Sequence, residues 1–192
     1  NTWLKIESYI FPKLENVYTV CDSIANIYKE KYEVNVKVVR NIPLQRKEEV
    51  YKTRSELGLP IDKNIILLQG AGINIDRGAE EMVEAMKFLS NEYLFLIIGG
   101  GDVFDILREK IATNNLENKV KILGKIPYSR LKNYTFLSDL GISMDKNTNL
   151  NYQYSLPNKL FDYIQFQTPV LVSNLVEIKN IVESNQVGWI IN

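Results

Sequence analysis

The chain has 192 residues, 45% of them apolar, which suffices for one domain with a full core, or one domain and a piece of another. Lys plus Arg and Asp plus Glu both number 23, and the resulting zero net charge argues against a nucleic-acid binder with a broad basic face. A lone Cys21 excludes an internal disulfide and fits a reducing cytoplasm, and the lack of His removes the commonest general base and the commonest zinc ligand.

In chain order, residues 1–40 predict a helix, a strand at NVYTVC (16–21), a helix at DSIANIYKEKYE and a strand at VNVKVVR (34–40). Residues 41–60, NIPLQRKEEVYKTRSELGLP, are polar with a Pro near each end and predict a short helix. A fresh pattern starts at Asn64. Its apolar runs are NIILLQG (64–70), YLFLIIGGG (93–101), KVKILG (119–124), LGISM (140–144), PVLVS (169–173) and VGWII (187–191). Between most of them lie helix-length amphipathic segments: RGAEEMVEAMKFLS, DVFDILREKIATNN, SRLKNYTFLSD, LPNKLFDYIQF and LVEIKNIVES. KNTNLNYQY (146–154) reads as a polar loop. Strands alternating with helices predict βαβ units and an α/β fold, a doubly wound, parallel, Rossmann-like sheet covered on both faces. We expect residues 1–42 to be the end of one α/β domain and its link, and 43–192 to be a second domain. The chain stops after an apolar strand with no closing helix, so a fragment of a longer protein is expected.

The chemistry concentrates in loops that follow strands. In GAGINIDRGAEEM, Gly70 and Gly72 let a ligand approach the backbone, and a helix is expected to open at Arg77-Gly78. In SLPNKLFDYIQFQTPVLVSN, Ser155 can cap and Pro157 suits a first turn, which puts Lys159 in that turn. A cation beside exposed N–H groups is slightly unfavourable when the helix end is empty, and favourable against a phosphate. Basic residues in first turns also point harmlessly to solvent; as a pair on one sheet, Arg77 and Lys159 favour an anion site. The run Gly99 to Gly101 supplies a turn, with Asp102 as the expected helix cap, but lacks the dinucleotide spacing. Asp162, one turn beyond Lys159, is either an acceptor for sugar hydroxyls or an intrahelical partner of that lysine. Tyr163, Phe161 and Trp189 are expected in the core.

Taken together, GAGINIDRGAEEMVEAM, YLFLIIGGGD, KVKILGKIPYSRLKNYTFLSDLGI and YSLPNKLFDYIQFQTPVLVSN resemble the donor-binding C-terminal half of a retaining GT-B glycosyltransferase of family 4 or group 1 type. YTVCDSIANIYKEKY and VKVVRNIP are similar to the end of that family's N-terminal domain and its interdomain link. The resemblance implies a nucleotide-diphosphate sugar, UDP- or GDP-linked, as donor, and a glycan or lipid-linked acceptor met by the N-terminal domain. It implies that Arg77 and Lys159 hold the diphosphate and stabilise the leaving nucleotide. Asp162 would contact the ribose, Gly124 to Ile126 the base, and Ser155 and Leu156 the sugar or phosphate. Gly70, Gly72 and Gly100 would line the same pocket. Departures occur at Tyr154, where the family's signature carries its first Glu, at Asp162, one bond shorter than the second Glu, and at Ala71, where a further basic residue is common.

No metal or other cofactor is expected, since no carboxylate cluster suggests one. No apolar run is long enough to span a membrane and no signal peptide is visible. The expected setting is therefore the cytoplasm, with peripheral association at the inner face of the membrane for the full protein. The richness in Asn, Ile and Lys suggests a low-GC bacterium, and surface polysaccharide synthesis as a setting. Two other readings fit: a nucleotide-sugar epimerase of the same architecture, although no His is present, and a non-catalytic phospholigand-binding module.

Overall fold

The structure is a computed structural model that describes residues 2–44 and 51–192. The first part runs α1 (Thr2–Ile10), a 3₁₀ turn (Phe11–Lys13), β1 (Val17–Thr19), α2 (Asp22–Tyr32) and β2 (Val36–Val38). β1 and β2 pair in parallel with α2 as the crossover. The helix expected within residues 41–60 falls partly on residues 45–50, which lie outside the described residues; within the rest there is one 3₁₀ turn, Ser55–Leu57.

The second part runs β3 (Asn64–Gly70), α3 (Ala79–Ala85), β4 (Tyr93–Gly99), α4 (Phe104–Thr113), β5 (Val120–Leu123) and α5 (Tyr128–Phe136). It continues with β6 (Leu140–Ser143), α6 (Leu150–Gln153), α7 (Asn158–Gln165), β7 (Val170–Ser173), α8 (Val176–Asn185) and β8 (Gly188–Ile191). The six strands form one parallel sheet in the order β5-β4-β3-β6-β7-β8. The direction of winding reverses between β3 and β6, and in such sheets the crevice at the carboxyl ends of those strands is where ligands bind.

The pattern of β3 shows why the sheet is covered twice. Ile66 and Leu68 face one core with Met82, Val83, Phe104 and Leu107 of α3 and α4. Ile65 and Leu67 face the other, with Tyr134, Leu160, Tyr163 and Ile178 of α5, α7 and α8. Alternate side chains of a strand point to opposite faces, so a continuous apolar run is needed to fill both.

Arg54 fastens the link to this sheet. Its guanidinium donates to the carbonyls of Lys63 and Leu137 at 2.8 Å and to Asp139 at 2.7 Å. Asp139 in turn accepts from the Ile65 N–H at the start of β3. The first part packs on the second through α2 and α8. Glu177, in the first turn of α8, accepts from the Ser23 N–H at 2.8 Å, so it caps the start of α2 from another element. A carboxylate suits that helix end by hydrogen bond and by dipole.

Four local expectations are corrected. Arg77 does not lie in a helical turn: α3 starts at Ala79, because Gly78 is left-handed at φ 82° and pressed on Met144. Asp102 does not cap α4; it accepts from the Ile75 N–H at 3.0 Å and so pins the glycine-rich loop. Segment 146–154 is not all loop, since Asn149 caps the short helix α6 through the Tyr152 N–H. Trp189 is 62% exposed, not core, because β8 is an edge strand with one face uncovered.

Candidate functional site

The mouth of the switch point is built from backbone. Gly99 has φ 148°, and a Cβ there would sit 1.8 Å from the Gly70 carbonyl oxygen, so the ends of β3 and β4 meet as bare main chain. Gly100 lies under the stem of Lys125, whose Cε would be 2.6 Å from an added Cβ. Across the switch point stands the start of α7. Pro157 is its N-cap residue, and no side chain caps its N–H groups. The expected cap at Ser155 is not made; the Ser155 hydroxyl is buried without a partner. The open helix end, with Lys159 in its first turn, faces the glycine ends of β3 and β4 across a cavity of about 300 Å³.

Of the residues expected at the site, Gly70, Ile126, Lys159 and Asp162 line this cavity together. Gly72, Arg77, Gly100, Gly124, Ser155 and Leu156 do not line it. Leu156 packs against the core under α7, and Gly124 is open to solvent. Arg77, on the loop before α3, pairs instead with Asp145, and its link to the site is the effect of its charge on Lys159.

Asp162 is held in place rather than loose on the helix. Its Oδ2 accepts from Gln69 Nε2 at 3.0 Å, and its Oδ1 from the Tyr128 hydroxyl at 2.9 Å. Gln69 accepts in turn from the Thr135 hydroxyl at 2.7 Å. Burial raises the Asp162 pKa, and the hydrogen bonds from Tyr128 and Gln69 oppose that rise. The intrahelical pair with Lys159 is not formed; Asp162 turns to β3 and α5 instead.

Lys159 is part-buried. Burial pushes its pKa down, Asp145 pulls it up, and Arg77 pushes it down. Arg77 stacks its guanidinium 4.7 Å from the centre of the Tyr152 ring and places Nη1 3.4 Å from Asp145. Among the described residues no cluster of three or more His, Cys, Asp or Glu side chains is placed to hold a metal ion.

Gln69 and Tyr128, which line this cavity, and Asp145 and Tyr152, which hold Arg77, were not read from the sequence. Gln69 alone had a visible signal, a polar residue inside the apolar run NIILLQG. The others act on partners far along the chain, so only the fold reveals them.

The family described as "Glycosyl transferases group 1" matches residues 51–192. The chain belongs to this family. A curated relative, the amylovoran biosynthesis glycosyltransferase AmsK of Erwinia amylovora, is 26% identical over 127 residues, which is 65% of this chain and 31% of that protein. HepE of Anabaena, solved in complex with UDP and glucose, superimposes with a TM-score of 0.78 at 15% identity, covering 98% of this chain and 53% of that one. A glycosyltransferase of Rickettsia africae superimposes at 0.75 and 19% identity, over 100% of this chain and 53% of that one. The chain thus spans about a third of the curated relative it matches and about half of these solved structures. Within the group 1 family, its six-stranded sheet has the fold of the C-terminal domain of a GT-B glycosyltransferase. Among the described residues no helix is long and apolar enough to cross a membrane.

Proposed function

We propose that this chain is the donor-binding part of a retaining glycosyltransferase that takes a sugar from a UDP- or GDP-sugar. The observation that carries this reading is the meeting of an uncapped helix end, Lys159 and the Gly70–Gly99 main chain at the switch point, with the charge of Arg77 acting on Lys159. Backbone N–H groups, helix dipole and formal charge all favour a diphosphate there. Breaking a glycosyl–phosphate bond builds negative charge on the departing diphosphate. Preorganised cations aimed at that charge stabilise the transition state more than the ground state. In this reading Arg77 and Lys159 supply that stabilisation without a metal. Asp162, oriented by Gln69 and Tyr128, accepts from the ribose hydroxyls, and the segment from Gly124 to Ile126 meets the base. Gly72, Gly100, Ser155 and Leu156 contribute main chain around the donor. The acceptor, a glycan or a lipid-linked glycan, binds outside this chain, and the complete enzyme works in the cytoplasm at the membrane surface. Membership of the group 1 family, AmsK's role in amylovoran biosynthesis and HepE's complex with UDP and glucose support the reading.

Calorimetric titration with UDP and with GDP tests it. One of the two nucleotides binds saturably, and Arg77→Ala and Lys159→Ala each weaken it by about tenfold or more, roughly 1.4 kcal/mol. Equal affinity in the wild type and both variants would contradict the assignment.

A further inference from the structure

The charged side chains that line the cavity at the switch point are Lys125, Lys159 and Asp162. Asp162 is committed, since Gln69 and Tyr128 donate to its two oxygens at 3.0 and 2.9 Å. The cavity is left with an excess of positive charge. Lys159 stands on its α7 side. Lys125, between β5 and α5, stands on the other side, and the sheet order places the glycine ends of β4 and β3 between the two. Among the described residues no carboxylate pairs with Lys125. Its stem is held all the same. A Cβ at Gly100 would meet Cε at 2.6 Å, Cγ at 3.4 Å and Cδ at 3.5 Å, so the methylenes lie along the glycine main chain. That floor is itself fixed: the Ile73 N–H donates to the Gly100 carbonyl at 2.8 Å, and the Gly100 N–H to the Gly70 carbonyl at 3.3 Å. Ordering a lysine stem costs conformational entropy, and here it sets a cation at the edge of a cavity with no protein anion to meet it.

We propose that Lys125 is a further ligand-binding residue: its ammonium holds the diphosphate from the β4 side while Lys159 holds it from the α7 side. Gly100 is glycine because the lysine stem lies where a side chain would stand. The identity of the ligand rests on the diphosphate reading above. A diphosphate spreads its charge over two phosphoryl groups, so cations on opposite sides of the glycine floor match it better than one alone. The like charges of the two lysines oppose each other in the empty cavity, and an anion between them relieves that. An ammonium is a compact charge with three rotatable donors, so it engages phosphate oxygens without a fixed orientation. The carbonyls of a base are neutral and gain less from a full charge. The main chain of Lys125 stays with the base contacts given to the segment from Gly124 to Ile126; the side chain serves the other half of the ligand.

Calorimetric titrations of the whole chain with inorganic pyrophosphate, UDP and GDP test this. Lys125→Gln keeps most of the stem and removes the charge. It weakens pyrophosphate about fivefold or more, and weakens the nucleotide that binds by a similar factor. Lys125→Arg restores a cation and stays within about twofold of the wild type. Gly100→Ala displaces the stem and weakens binding as well. Combined with Lys125→Ala it adds no further loss, since no stem is left to displace. Equal pyrophosphate affinity in the wild type and Lys125→Gln overturns the proposal. So does a Lys125→Gln chain that loses the nucleotide and keeps pyrophosphate, because the lysine would then serve the base. Losses from Gly100→Ala and Lys125→Ala that add in the double variant overturn the part given to Gly100. Lys159→Ala keeps the two claims apart. If it loses the ligand while the Lys125 variants keep it, the diphosphate site stands and the role of Lys125 falls. If the wild type binds neither pyrophosphate nor either nucleotide, both fall.

Discussion

Gln69 shows how one side chain serves both fold and site. It ends an apolar strand, is 2% exposed, and ties Thr135 of α5 to Asp162 of α7. Such a chain of buried hydrogen bonds is worth having only when every member is paired. Gln69→Leu leaves the Thr135 hydroxyl short of one acceptor and Asp162 short of one donor. We expect a loss of about 1–3 kcal/mol of stability, measured as a fall in the urea midpoint at neutral pH. The loss shrinks as pH falls, because the Asp162 pKa is already raised by burial and the missing donor raises it further. The protonated carboxyl needs Gln69 less, so the stability gap narrows below the shifted pKa.

The elements show where sequence reasoning succeeds and where it stops. Period-2 and continuous apolar runs placed the eight strands found among the described residues, because burial on one or both faces of a sheet dictates them. The helices other than the short α6 were found for the same reason, but the start of α3 was not. Its onset depends on the close approach of Gly78 to Met144 of the β6 end, a contact between segments more than sixty residues apart. The cap of α2 was equally hidden, since Glu177 supplies it from α8. That cap carries an expectation of its own. Glu177→Ala removes the acceptor for the Ser23 N–H and costs about 1 kcal/mol. Hydrogen exchange of α2 then quickens while the amides of β3 and β4 keep their protection, since the local opening of α2 is what the cap restrains.

At the scale of the molecule, the order β5-β4-β3-β6-β7-β8 puts one switch point at the carboxyl ends of β3 and β6. Glycine main chain, the α7 end and Lys159 meet in that crevice. Lys159 and Arg77 were legible because each broke a local rule, a cation beside a helix start or a glycine turn. Asp145 was not, because a carboxylate two residues after a strand breaks no rule until the fold buries it against Arg77. The central claim is that this crevice binds a nucleoside diphosphate. The most direct measurement is a titration of the 15N-labelled chain with UDP and with GDP, followed by amide shifts. The account predicts saturable shifts centred on Gln69 to Ala71, Gly99, Lys125 to Tyr128 and Asn158 to Asp162, and their loss in Lys159→Ala. Shifts centred instead on the edge groove around Trp189, or shifts that persist unchanged in that variant, would contradict it.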